Sequence, residues 1–205
     1  MVAKPPPAKA DTPCLTSKRL RADALRNREK LIETAAAAFA EGGVQTSLED
    51  IARRAGVGIG TLYRHFPTRE HLVEVVYRRE LEALCTAAEE LSRIHPPDVA
   101  LGEWMQRLVG YIATKRGMAD SLRILMTTNS ELFAEASGKI PQALRGLVEA
   151  AAAAGAIRRD IDATDVMQAL SGVYSAPHTP DWHERSRRLV SLLMDGLRSG
   201  APKAG

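Results

Sequence analysis

From residue 31 onward the apolar positions recur at three- and four-residue intervals, the repeat of helices that bury one face. Leu48, Ile51, Ala52 and Ala55 form the first clear stripe, at i, i+3, i+4 and i+7. Leu72, Val75, Val76, Leu81 and Leu84 mark one long helix over 68–94, which His95-Pro96-Pro97 ends because a residue before proline is pushed out of the helical region. A further helix over 98–115 buries Leu101, Trp104, Met105, Leu108 and Ile112, and Gly117 stops it. Short helices are predicted over 122–126 and 132–136. Pro141 then opens PQALRGLVEAAAAAG, a run of high helix propensity that Gly155 caps. Asp162 and Asp165 suit the cap and third position of the next helix. Thr179 and Pro180 suit the cap and first position of a last helix that ends near residue 198 and carries Leu189, Leu192, Leu193 and Leu197 on one side. The fold class is all-α.

The stretch 47–66, SLEDIARRAGVGIGTLYRHF, has the pattern of two short helices packed across a tight turn. Ser47 with Asp50 reads as a capping box, which starts the first helix at Leu48. Gly56 sits where the chain must leave that helix through a left-handed conformation. Ile59 and Leu62 give the second helix its buried side, leaving Gly58, Gly60, Thr61, Tyr63 and His65 outward. The alternative is an ordinary helical hairpin in an all-α core, which the two glycines would weaken by about 1 kcal/mol each relative to alanine. On a surface that enters the major groove they allow close approach to DNA. GVGIG follows a helix pattern, lacks G-x-G-x-x-G and has no P-loop lysine, so a nucleotide loop is rejected.

Composition narrows the rest. The 205 residues are 45% hydrophobic but only 4% aromatic, which favours helix packing over sheet. The net charge of +3 is uneven: residues 1–30 carry eight Lys or Arg against three acids, and the remainder carries 20 against 22. Residues 1–17, with their PPP run, read as a disordered tail. Residues 18–28, with Lys18, Arg19, Arg21, Arg26 and Arg28, fit either a solvated arm or one that contacts phosphate or the minor groove. Two cysteines, Cys14 and Cys85, form neither a disulfide framework nor a metal site. With no membrane-length apolar run and no signal peptide, a cytoplasmic protein is expected, needing no cofactor or metal.

The run from Arg26 to about Leu84 resembles the DNA-binding domain of the tetracycline-repressor (TetR) family of bacterial regulators. The leading helix LIETAAAAFAEGG with Phe39 and its Gly42-Gly43 stop, the TSLEDIARRAGV block, the TLYRHFPTREHL signature and the long helix match in order and spacing. The resemblance implies that TLYRHF carries the recognition helix and that Tyr63 and His65 touch backbone phosphates. It also implies that Thr46 and Ser47 donate to phosphate near a helix N-terminus. Arg69 stands where many relatives have lysine, so its phosphate contact would differ in geometry. Gly58, Ile59 and Thr61 are the candidates for base edges, and their small side chains predict weak direct readout and some dependence on DNA shape. Three regions are expected: a basic, Pro-rich disordered arm (1–23), the DNA-binding domain (24–84) and a helical ligand-binding and dimerisation domain (85–200).

By the same resemblance the chain is a homodimer on a palindromic double-stranded DNA operator, a repressor by the family's usual habit, released by a small-molecule effector. Candidates for the effector lining are Trp104, Met105, Tyr111, Arg123, Met126, Asn129, Phe133, Met167 and Tyr174, although residues at such spacing are more often plain core. Arg123 and Asn129 would be unusual in an inert core, and if both point inward a polar or anionic ligand becomes attractive. Few aromatics in this domain argue against flat cationic drugs. Leu170, Val173, Leu189, Leu193 and Leu197 are the candidates for the dimer interface.

An enzyme and a helical adaptor are the competing classes. The five histidines are scattered, and no H-E-x-x-H, paired cysteine ligands or G-x-S-x-G turn occurs. An adaptor would form no salt-sensitive, sequence-dependent complex with DNA.

Overall fold

The computed structural model describes residues 14–175, 179 and 181–200, with side chains at all of these except 14–21, 130, 135, 136, 173 and 174. Among the described residues there is no strand. The helices are α1 (Cys14–Gly42), α2 (Leu48–Ala55), α3 (Ile59–His65), α4 (Arg69–Ile94), α5 (Pro97–Gly117), α6 (Ala119–Thr128), α7 (Ser130–Ala153), α8 (Ala163–Tyr174) and α9 (Trp182–Arg198), with a 3₁₀ turn at Gly43–Gln45. All-α architecture follows the helical repeat of the sequence.

Helices α1 to α3 form a small N-terminal unit around Leu31, Ala35, Phe39, Ile51, Leu62 and Phe66, all fully buried. Helix α4 runs from this unit into the C-terminal bundle. Its N-cap is Thr68, whose side chain accepts from the His71 amide at 3.1 Å. Arg79 ties α4 to α1 through Glu29 at 2.7 Å and Glu33 at 3.0 Å. Helix α5 is central, packing on α1, α4, α7 and α9. Its Trp104 is fully buried and donates from Nε1 to the Leu84 carbonyl of α4 at 2.9 Å. The C-terminal end of α5 meets α1 so closely that a Cβ on Gly117 would lie 1.9 Å from the Phe39 carbonyl oxygen. Only glycine fits there.

Four boundaries differ from those expected. Helix α1 begins at Cys14, so residues 14–23, expected to belong to a disordered arm, are helical, while residues 1–13 lie outside the described residues. No Gly or Pro interrupts the chain after Pro13, so the helix anchored by Leu31 and Phe39 propagates backward, aided by an Arg26–Asp23 pair. Helix α6 spans Ala119–Thr128, longer than the expected turn and a half. Helix α7 starts at Ser130 and passes through Pro141, which was expected to open it. Proline removes one i to i−4 bond, but the buried Leu132 and Leu144 on either side hold the helix through the break. Helix α9 starts at Trp182 with Asp181 as cap, after Thr179 donates its hydroxyl to Asp181 at 2.6 Å; Pro180 is outside the described residues. The box at Asp162 is complete, its carboxylate accepting from Thr164 and Asp165 while Asp165 accepts from the Asp162 amide at 3.1 Å.

Candidate nucleic-acid interface and effector cavity

Helix α2 buries Leu48, Ile51, Ala52 and Ala55 and ends at Gly56, φ 67°. The Val57 amide donates to Ala52 at 3.0 Å and the Gly56 amide to Arg53 at 3.1 Å, the paired bonds of a Schellman turn. Ser47 caps α2 by accepting from the Asp50 amide at 3.0 Å. The reciprocal half of the expected box is missing. The Asp50 carboxylate instead holds Arg53 and, at 2.7 Å, Arg54, because two guanidinium donors outcompete one amide.

The turn sets α3 on the domain surface, anchored by buried Leu62 and followed by buried Phe66. Tyr63 is 45% exposed, Thr61 and His65 are half-buried, and a Cβ on Gly58 or Gly60 would meet nothing within 4 Å. Gly58 caps α3 rather than lying within it. Ile59, expected to bury its side chain, is 38% exposed because it opens a seven-residue helix whose one inward turn is filled by Leu62. Its exposure leaves it on the candidate base-reading face. Arg64 also stands exposed there. The sequence signal for it was its place four residues after outward-facing Gly60, a helical neighbour on the same side.

Two expected phosphate donors turn inward. Thr46 is buried, its hydroxyl donating to Ala38 at 2.9 Å and its amide to Gly43 at 3.2 Å, so neither proton is left for phosphate. Arg69 lies with its guanidinium 5.2 Å from the Phe39 ring centroid and donates from Nη1 to the Thr46 carbonyl at 2.5 Å. It links α4 to the end of α1. Ser47 is exposed and its hydroxyl accepts the cap bond, which leaves its proton to donate outward.

In the bundle, a cavity of about 460 Å³ opens between α5, α6 and α7. Of the expected lining, Arg123, Met126 and Phe133 are there. Trp104, Met105 and Tyr111 are buried core instead; Trp104 is bonded to α4, and the Tyr111 ring lies 6.1 Å from that of Tyr77 of α4, tilted by 43°. Burial pushes the Tyr111 hydroxyl well above the usual phenol value. Asn129 is half-buried but donates to Glu74 of α4 at 3.2 Å and does not reach the cavity. Met167 packs against the core, and the Tyr174 side chain lies outside those described. Arg123 does not point inward: it is exposed at the rim, 3.5 Å from Asp120. The lining that sequence reasoning missed is Ile112, Lys115, Arg116, Ala119 and Leu122. The i, i+3, i+4 spacing of Ile112, Lys115 and Arg116 was the available signal.

Of the expected dimer residues, Leu170 and Leu197 are buried within their own subunit, because α8 and α9 close on the bundle through them. Leu189 is exposed, Leu193 is half-buried, and the Val173 side chain is outside those described. Leu192, not among the candidates, is 66% exposed. With Ala169, Leu193 and Gly196 it lines an apolar groove of about 300 Å³ across α8 and α9. No helix among the described residues is long and apolar enough to cross a membrane.

An outward short helix after a glycine turn, in a small N-terminal unit joined to a helical bundle, has the architecture of a helix-turn-helix DNA-binding regulator. Residues 31–76 match the model of the bacterial regulatory proteins of the tetR family, and residues 96–199 match that of the C-terminal domain of SbtR-like transcriptional regulators. The chain is 33% identical over 170 residues to the probable acrEF/envCD operon repressor of Escherichia coli K12, covering 78% of this chain and 77% of that one. It is 43% identical to the TetR transcriptional regulator SCO0520 from Streptomyces coelicolor, whose crystal structure superposes with a TM-score of 0.73 over 86% of this chain and 99% of that one. A TetR regulatory protein from Mycobacterium vanbaalenii gives 35% identity and a TM-score of 0.65 over 87% and 99%. The chain belongs to the TetR family of transcriptional regulators. It is a DNA-binding regulator, not an enzyme.

Proposed function

We propose that this protein is an effector-responsive repressor that binds a palindromic operator as a homodimer. The outward face of α3 carries this reading: Ile59, Tyr63 and Arg64 are exposed around two glycines with open space above them. Ser47, Tyr63 and His65 position the backbone, while Gly58, Ile59 and Thr61 meet base edges. Thr46 and Arg69 act one layer behind, holding the frame on which α3 rests. A second copy packs on the α8–α9 groove, placing two recognition helices about 34 to 36 Å apart, or a multiple of that, on the duplex. An effector in the bundle cavity favours the conformer that fits DNA less well, with a coupling of about 1 to 3 kcal/mol.

Fluorescence anisotropy with a duplex selected from a random library tests the docking face. Tyr63→Ala should weaken binding to every sequence about equally, whereas Thr61→Ala should change sequence preference. Raising salt from about 50 to 200 mM should cost orders of magnitude in affinity. A folded Tyr63→Ala protein with unchanged affinity, or a flat salt response, overturns the assignment.

A further inference from the structure

We propose that the cavity between α5, α6 and α7 takes an amphiphilic anion, its charged head paired with Lys115 and its apolar tail lying on Leu122, Met126 and Phe133. This names the ligand class for the effector site of the preceding reading and rests on it. The lining contains three cations and no Asp or Glu. Two of those cations are engaged. Arg116 lies 4.6 Å from the centroid of the buried Trp182 ring, and Arg123 faces Asp120 at the rim. Lys115 is half-buried, and among the described residues it has neither a hydrogen bond nor an ion pair. Burial lowers its affinity for a proton.

A half-buried ammonium without a counter-ion is a standing cost to the fold, and an anion brought by a ligand would remove it. The rest of the wall is apolar, formed by Ile112, Ala119, Leu122, Met126 and Phe133. Its volume of about 460 Å³ lies within the range of about 300 to 1,000 Å³ in which small-molecule pockets fall. The α8–α9 groove is the contrast: it carries one Arg and one Asp, so it offers no net charge to a headgroup. Met126 is largely exposed at the mouth, where a tail can enter past an unbranched, adaptable side chain.

Isothermal titration calorimetry of the full chain with four ten-carbon probes below their micelle thresholds tests this: decanoate, decyl phosphate, decanol and decyltrimethylammonium. Both anions, or one of them, should bind about tenfold or more tighter than the alcohol, and the cation should bind least. The ranking of carboxylate against phosphate identifies the headgroup. Lys115→Met should reduce anion affinity by about tenfold or more while keeping the helical circular dichroism, and Lys115→Arg should restore much of it. Equal affinity for decanol, preference for the cation, absence of anion binding, or an unchanged Lys115→Met protein overturns the proposal. DNA anisotropy on the same samples separates the two readings. Anion binding through Lys115 without DNA release keeps the ligand class and overturns the effector role, whereas a protein that ignores every duplex overturns the regulator reading whichever probe binds.

Discussion

Thr46 and Glu80 each carry polar chemistry whose consequence depends on where the fold has put it. Thr46 spends its hydroxyl on the Ala38 carbonyl inside the N-terminal unit, so it acts on α1 rather than on DNA. Thr46→Val should lower stability by about 1 kcal/mol in urea unfolding, the usual net value of one such bond, while the folded variant keeps its duplex affinity. A variant of unchanged stability and reduced affinity would restore the phosphate role. Glu80 of α4 is half-buried, and loss of hydration raises its pKa above the usual carboxylate value despite the opposing charge of Arg79. A raised folded-state value means that the native protein binds the proton more readily than the unfolded chain. The contribution is then fully present below the unfolded pKa and is lost as pH rises through the folded one. At pH 7 the charged group therefore costs stability. Glu80→Gln should raise the midpoint of thermal unfolding at pH 7, and that gain should shrink as the pH is lowered below about 4, where wild-type Glu80 is protonated in both states.

Among the elements, those whose ends are specified by local chemistry were legible from the residues alone. The α2-turn-α3 unit was read correctly at Leu48, Gly56 and Leu62 because a cap, a left-handed glycine and a short stripe are each encoded within four or five residues. The box at Asp162 was legible for the same reason. What failed depends on partners far along the chain. Pro141 looked like a helix start, and only the burial of Leu132 and Leu144 against the bundle makes it an interior residue. Trp104 and Tyr111 looked like pocket lining because aromatic size does not say which neighbour a helix face meets. Lys115 was passed over because a lysine near a helix end ordinarily reads as solvated.

The α1–α5 contact shows how strongly such long-range packing binds the elements. A Cβ at position 117 would collide with backbone atoms of Phe39, which no rotamer can relieve, so α5 would have to move off α1. Gly117→Ala should therefore destabilise by about 1 to 3 kcal/mol in chemical denaturation, the usual cost of overpacking. Because Arg69 packs on the same Phe39 of α1, the surviving folded fraction should also bind duplex more weakly. A variant of wild-type stability would mean that the two helices are less tightly apposed than their backbones indicate.

At the scale of the whole molecule, a recognition helix of seven residues reads too little DNA to define a site, which is the physical ground for proposing two subunits held at a fixed spacing. Among the described residues of α8 and α9 the most exposed large hydrophobic side chain is Leu192, at 66% exposed, on a groove that Leu193 and Ala169 also line. Burying it against a second copy would contribute about 1.5 to 3 kcal/mol, and two-fold symmetry counts that contact twice. Leu192→Glu would place a carboxylate in the same apolar contact on both subunits, where neither finds a partner. The variant should keep its helical content, because the side chain has little role within its own subunit. It should sediment as a monomer at micromolar concentration, and its affinity for a full palindrome should fall to that for an isolated half-site. Persistence of the dimer would move the interface off α8 and α9. Loss of the dimer with full palindrome affinity retained would instead mean that the duplex itself brings two monomers together, and that the spacing of the half-sites is set by the DNA rather than by this face.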